Sequence, residues 1–356
     1  MKIGLDDVHD LAAGVTLLGS GGGGDTATVA RMLRHTLAHH GPVTLISAAD
    51  LPDDALVIPI AATGSITVMI ERLPTGAEFR SVIQALTEYL GRPAAALHVF
   101  EVGGANALFA VAAAAWAGLP LIDADGMGRA YPRIDQTVLN AAGISATPIA
   151  LADPSGNQVL IQRARDNTDA ERILRAVLPA LGGWAATALY PMRAADAHQY
   201  AIPGSITAAL KLGRDLRAAQ RTPWARVSLL GKRHAELLFS GTVVETLRHP
   251  RPRTGGTLTI EHETDPQRSL RVEIADEYLL AIDDGQVTAS VPDIIALLDR
   301  RTWNPVSTEH ITCGRFVDVV RFPSPPHWHH AEARRLVSPE AFGLRVLEQE
   351  ERSLWA

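Results

Sequence analysis

The chain has 356 residues, of which 47% are hydrophobic and 20% charged, enough apolar material for a sizeable core and too much for general disorder. With 33 basic against 39 acidic residues the formal charge is −6, and no basic block stands out, which argues against nucleic acid and anionic membrane as partners. The one cysteine, Cys313, excludes an internal disulfide framework and a cysteine-rich metal site. The opening MKIGLDDVHD is acidic where a secretory signal is basic. Residues 107–122, interrupted by Gly118 and Pro120, are too short to span a bilayer, so a soluble, cytoplasmic protein is expected.

Val8, Leu11, Ala12, Val15 and Leu18 recur at helical steps, and Val29, Met32, Leu33 and Leu37 repeat the pattern after the run GSGGGGD. Residues 42–47 read as a short strand and 55–60 (ALVIPI) as a strand buried on both faces. Thr75 and Glu78 form a capping box for a helix that ends at Leu90–Gly91. Residues 95–100 and 119–122 read as further strands, with an Ala-rich helix between them to about Trp116. Alternating strand and helix predict an α/β unit with a mostly parallel sheet. Residues 159–163 read as an edge strand, and Thr168 to Glu171 as a second capping box. A strand is expected over 184–190, and a helix from Pro203-Gly204-Ser205 to about Gln220. After Trp224 the texture turns to short alternating runs, with Asp284-Gly285 as a tight turn and one predicted helix over 292–298. The expected organisation is an N-terminal α/β domain over 1–166 and a C-terminal α+β domain over 167–356. The latter divides into a helix–strand segment (167–222), a β-rich part (225–325) and a charged peripheral tail.

Ser20, Gly21, Gly22, Gly23, Gly24 and Asp25 expose backbone N–H groups next to a helix N-terminus, a suitable cradle for a small polar ligand. A plain helix–helix turn is the alternative. A dinucleotide site is disfavoured, because a helix precedes the glycines where that fingerprint needs a strand. Glu101 and Asn106 in EVGGAN follow a buried strand, at the sheet edge where ligands bind. Asp123 and Asp125 in DADGMGRA follow the next strand in the same way. They can act as acid and base, or alternatively share a divalent cation, while Arg129 can hold a substrate carboxylate. His198, just before PGSI, is a candidate pocket residue. His35 and His39 read as a solvated helix face, His327, His329 and His330 as a surface loop, Ser205 as a helix cap and Cys313 as a packed thiol.

Taken together, LGSGGGGD, ATGSITVMIERLP, EVGGAN, LPLIDADGMGRAYP, GISATPIALAD, ALYPM, IPGSI and PDIIALLD resemble the S-methyl-thiohydantoin desulfurase-like family, collinearly from Leu11 to about Gly343. The resemblance implies two domains meeting near residue 166. It implies that Ser20 to Asp25, Glu101, Gly103, Gly104, Asn106, Asp123, Asp125, Gly126 and Arg129 belong to the shared pattern. The implied activity is hydrolytic removal of sulfur from a thiohydantoin ring, and the implied gene setting is beside hydantoinase or oxoprolinase subunits. The chain departs from the family at Arg133-Ile134-Asp135, where relatives carry Glu first. It departs again at Asp276-Glu277-Tyr278, where only Glu277 carries over, so the substrate can differ. The expectation is a homo-oligomeric hydrolase of cyclic amides or thio-amides with no cofactor. Glu101 or Asp125 would be its general base, and Gly21 to Gly24 or Asn106 would stabilise developing charge. The alternatives are a non-catalytic ligand-binding subunit of a hydantoinase-type partner and a divalent metal on Asp123 and Asp125.

Overall fold

The computed structural model describes residues 1–248 and 255–344. The expected charged tail falls largely on 345–356, outside the described residues. Strand β1 (Lys2–Ile3) precedes helices α1 (Val8–Leu18) and α2 (Thr26–His40), then strands β2 (Val43–Ile46) and β3 (Leu56–Gly64). Helices α3 (Ile66–Glu71) and α4 (Ala77–Leu90) lead to β4 (Ala94–Val99), α5 (Ala105–Ala117) and β5 (Leu121–Asp125). Next come α6 (Val138–Ala141), β6 (Ile149–Ala152), β7 (Gln158–Ile161), α7 (Asn167–Val177) and β8 (Trp184–Ala188). Then follow β9 (Met192–Arg193), α8 (Ala194–Tyr200), β10 (Ile202–Pro203) and α9 (Ser205–Ala219).

These strands build one mixed sheet in the order β1-β2-β5-β4-β3-β8-β6-β7, with β9 on β3 and β10 on β5. Its centre, β2-β5-β4-β3, is parallel, and the strands added at either side run antiparallel. The parallel strands are apolar on both faces because each face is covered. Leu97 and Val99 enter the cluster under α4 and α5, while Ala96 and Phe100 enter the cluster on the other side. Strands β8, β9 and β10 follow residue 166 yet belong to this first sheet.

After α10 (Pro223–Lys232) the chain forms β11 (Glu236–Arg248), β12 (Gly256–His262), β13 (Ser269–Ile274), β14 (Tyr278–Asp283) and β15 (Gln286–Ser290). It continues through β16 (Ile294–Asp299), β17 (Phe316–Phe322) and α11 (Ala331–Val337). The second sheet is antiparallel throughout, ordered β15-β14-β13-β12-β11-β17-β16. The fold class is therefore an α/β unit with a parallel centre joined to a β-rich α+β unit.

Two expectations need correction. The helix predicted over 292–298 is strand β16: Ile295 and Leu297 face the core of the second sheet, while Ile294, Ala296 and Leu298 face α9 and α10. Burial on both faces removed the alternation that marks a strand. Cys313 is exposed rather than packed, beside Gly314 in the turn before β17.

Candidate active site

The glycine run folds as a tight loop between α1 and α2. Ser20, fully buried with φ of 51°, donates from Oγ to the Ile295 carbonyl (2.9 Å) and accepts from the Ile295 amide (3.2 Å). Its own carbonyl accepts from Tyr278 N at 2.8 Å, so the loop is fastened to β14 and β16 of the second sheet. A Cβ on Gly23 would lie 2.7 Å from Gly104 Cα, and one on Gly104 would lie 2.2 Å from Gly23 O. Glycine is needed at both positions because two backbones touch there, joined by Ala105 N donating to Gly23 O at 2.6 Å. Asp25 caps α2, accepting from Ala27 N, Thr28 N and Thr28 Oγ1.

A cavity of about 150 Å³ opens at the carboxyl ends of β3 and β4. Gly23 and Gly24, residues 61–65, Phe100, Glu101, Asn106, Tyr131 and Trp184 line it, with Asp276 and Glu277 reaching in from the β13–β14 corner. Arg133 and Arg175, each only partly buried, line the same space. The location obeys the rule for open α/β sheets, in which ligands sit beyond the carboxyl ends of parallel strands.

Glu101 is 5% exposed. Its Oε1 accepts from Tyr131 N (3.0 Å) and its Oε2 from Asn106 Nδ2 (2.6 Å). Asn106 Oδ1 accepts from Ala62 N at 2.8 Å, which fixes the amide orientation and ties the end of β3 to Glu101. Burial raises the Glu101 carboxyl to about 7, opposed by the Asn106 and Tyr131 hydrogen bonds. Glu277, 3% exposed, is raised further, to about 8, by burial and then by the neighbouring Asp276 charge. The two carboxyls come from different sheets and repel one another in the ionised form. Among the described residues, Glu277 Oε2, Tyr131 Oη and Trp184 Nε1 are buried without a hydrogen-bond partner, and all three residues line the cavity.

The other expected site residues lie elsewhere. Asp125, fully buried, accepts from Val102 N, Met127 N, Gly128 N and Ser205 Oγ, an arrangement that closes the loop after β5. Asp123 caps α9 through Ile206 N, Thr207 N and Thr207 Oγ1. Neither lines the cavity, and both carboxylates are filled by donors that a cation would have to displace. Among the described residues no group of three or more His, Cys, Asp or Glu is placed to hold a metal ion. Arg129 is fully buried and donates to three carbonyls, of Ala130, Asp293 and Tyr278. It stacks on the Tyr131 ring at 5.2 Å and so fastens the loop to the second sheet rather than facing a ligand. Ser20, Gly21, Gly22 and Asp25 are outside the cavity lining, and His198 is exposed on α8.

Of the expected residues, the fold therefore gathers Glu101, Asn106, Gly23 and Gly24 in one cavity. Sequence reasoning did not include Glu277, Tyr131, Trp184, Arg133 or Arg175 among the site residues. Arg133 had a visible signal, since it stands where relatives of the resembled family carry Glu. Trp184 and Arg175 had none, because an apolar strand and a charged helix are ordinary features.

No curated protein matches the chain. A crystal structure of a protein from Chromobacterium violaceum superposes with a TM-score of 0.77 at 24% identity, covering 98% of each chain, and supports the fold alone. Among the described residues no helix is long and apolar enough to cross a membrane. Two family models match end to end, the S-Me-THD-like N-terminal domain over residues 6–163 and the S-Me-THD-like C-terminal domain over residues 165–350. The chain belongs to the S-Me-THD-like family.

Proposed function

We propose that the cavity hydrolyses a small cyclic amide or thio-amide, of the hydantoin and S-alkylated thiohydantoin class. The observation that carries this reading is the pair Glu101 and Glu277, two buried carboxyls from different sheets, both raised by burial, lining one small cavity. Carboxyls whose environments separate their pKa values are suited to divide base and acid roles. The family name supports the ring class, and at about 30 Å³ per water the cavity has room for roughly five waters or a small ring.

In this reading water adds its oxygen to the ring carbon bearing sulfur, and its first proton passes to ionised Glu101. The second water proton goes to the ring nitrogen, the C–S bond breaks, and protonated Glu277 gives its proton to the departing sulfur. The products are a ring carbonyl and a free thiol, and transfer of the proton from Glu101 to Glu277 restores the starting state. Tyr131 O–H and Trp184 N–H, both lacking partners, are the donors available to charge developing on the ring. Asn106 acts by positioning, since its two bonds hold Glu101 against the end of β3.

The test is thiol release from S-methylated thiohydantoins, measured alongside ring opening of hydantoins. Glu101→Gln is expected to lower kcat about 10²–10⁴-fold with the fold intact. Undiminished turnover by that variant, or no turnover by the wild type across the panel, contradicts the reading. The second result favours a ligand-binding subunit that serves a hydantoinase-type partner.

A further inference from the structure

We propose that Arg133 and Arg175 form a carboxylate clamp at the mouth of the cavity, so that the ring ligand of this chain carries an anionic arm. The inference deepens the hydrolase reading above and rests on its placing the ring in this cavity. Arg133 lies on the loop after β5, and its Nε and Nη2 bond the two oxygens of Asp135 at 2.9 and 3.3 Å. Arg175, on α7, bonds Glu171 Oε1 from Nε at 2.6 Å and the Pro132 carbonyl from Nη2 at 2.6 Å. These anchors take two of the five N–H groups of each guanidinium and hold its plane in place.

The anchoring carboxylates are themselves buried and otherwise engaged. Asp135 also accepts from Thr168 Oγ1, and Glu171 Oε2 accepts from Ile134 N. Both arginines, by contrast, line the cavity and keep part of their side chain exposed, 36% for Arg133 and 26% for Arg175. The Arg175 bond to the Pro132 carbonyl ties α7 to the residue before Arg133, and both arginines line the one cavity. Planar guanidinium forks match a carboxylate through parallel hydrogen bonds, which a neutral ester or amide cannot reciprocate. Arg129, the other arginine of this loop, has no such freedom, since it is fully buried among carbonyls.

The test is calorimetric titration of the full-length protein with hydantoin-5-acetic acid and with its neutral methyl ester at low salt. The acid is expected to bind about 10–100-fold more tightly, the range of a charge-assisted hydrogen-bonded pair. Arg133→Met and Arg175→Met should each erode that preference and their combination abolish it, while Arg175→Lys, which keeps charge without the fork, should fall between. Arg133→Met decides the matter if changes at Arg175 unfold the loop, because its side-chain anchors are confined to Asp135. Equal binding of acid and ester by the wild type, no binding of either, or a preference unmoved by Arg133→Met overturns the clamp. Turnover of neutral rings with no acid preference leaves the hydrolase reading standing without the clamp. An arginine-dependent preference without turnover leaves the clamp standing without the hydrolase.

Discussion

At the scale of single residues, two buried titratable groups, His98 and Glu277, set opposite pH dependences of stability. His98, fully buried on β4 with no hydrogen-bond partner for either ring nitrogen among the described residues, is held down to about 4 by burial. The unfolded chain therefore binds the proton more readily, and stability is lost as pH falls from about 6.5 toward 4. Glu277 acts in the opposite sense. Its folded carboxyl keeps its proton up to about 8, so ionisation of the unfolded chain erodes stability as pH rises from 4.5 to 8. His98→Leu should flatten the acid limb of a Tm-against-pH curve, and Glu277→Gln should raise Tm more at pH 9 than at pH 5. An acid limb unchanged in His98→Leu, or a Glu277→Gln gain independent of pH, contradicts the assignment. His98 gave no warning in the sequence, because a histidine in an apolar run has the same letter whether it is solvated or sealed.

At the scale of elements, most of the strands and helices were legible, because hydrophobic period and capping chemistry are local. Gly91 after α4 behaves as its position predicts, whereas Asp25, expected in a ligand cradle, caps α2 instead. β16 was misread because burial on both faces erases its period. The glycine run reads in the sequence as a ligand cradle or a plain turn, whereas at Gly23 its bare backbone is taken up by another stretch of backbone. The partner is the Gly103–Gly104 turn, about 80 residues away, and that pairing is set by how α1 and α5 pack. Gly23→Ala is expected to cost at least the roughly 1–3 kcal/mol of a non-glycine left-handed residue, with the 2.7 Å approach to Gly104 adding to it. Asp123→Ala should cost less, about 1 kcal/mol for one lost cap on α9. Urea midpoints read both, and an indifferent Gly23→Ala would show that the two loops do not touch.

At the scale of the whole molecule, the site belongs to neither unit alone. The first sheet supplies Glu101, and a corner of the second supplies Glu277. Ser20, Arg129 and the Tyr278 amide fasten the two together around them. Glu101 was singled out for sitting after a buried strand, and it lines the cavity. Asp123 and Asp125 shared that signature, yet their geometry turns them inward to cap a helix and close a loop. A sequence motif reports that a carboxylate is placed after a strand and not whether its oxygens are already filled. Glu277 sits 176 residues from Glu101 in an ordinary strand-to-strand corner, so only the docking of the two sheets pairs them.

The pH dependence of kcat/KM for thiol release tests that pairing directly. Glu101 must be ionised and Glu277 protonated, so the rate should rise through about 7, fall above about 8, and peak between them. Glu101→Gln should remove the rise together with most of the rate, and Glu277→Gln should remove the fall. A rate flat from pH 5 to 10, or a bell unchanged by both substitutions, would contradict the account.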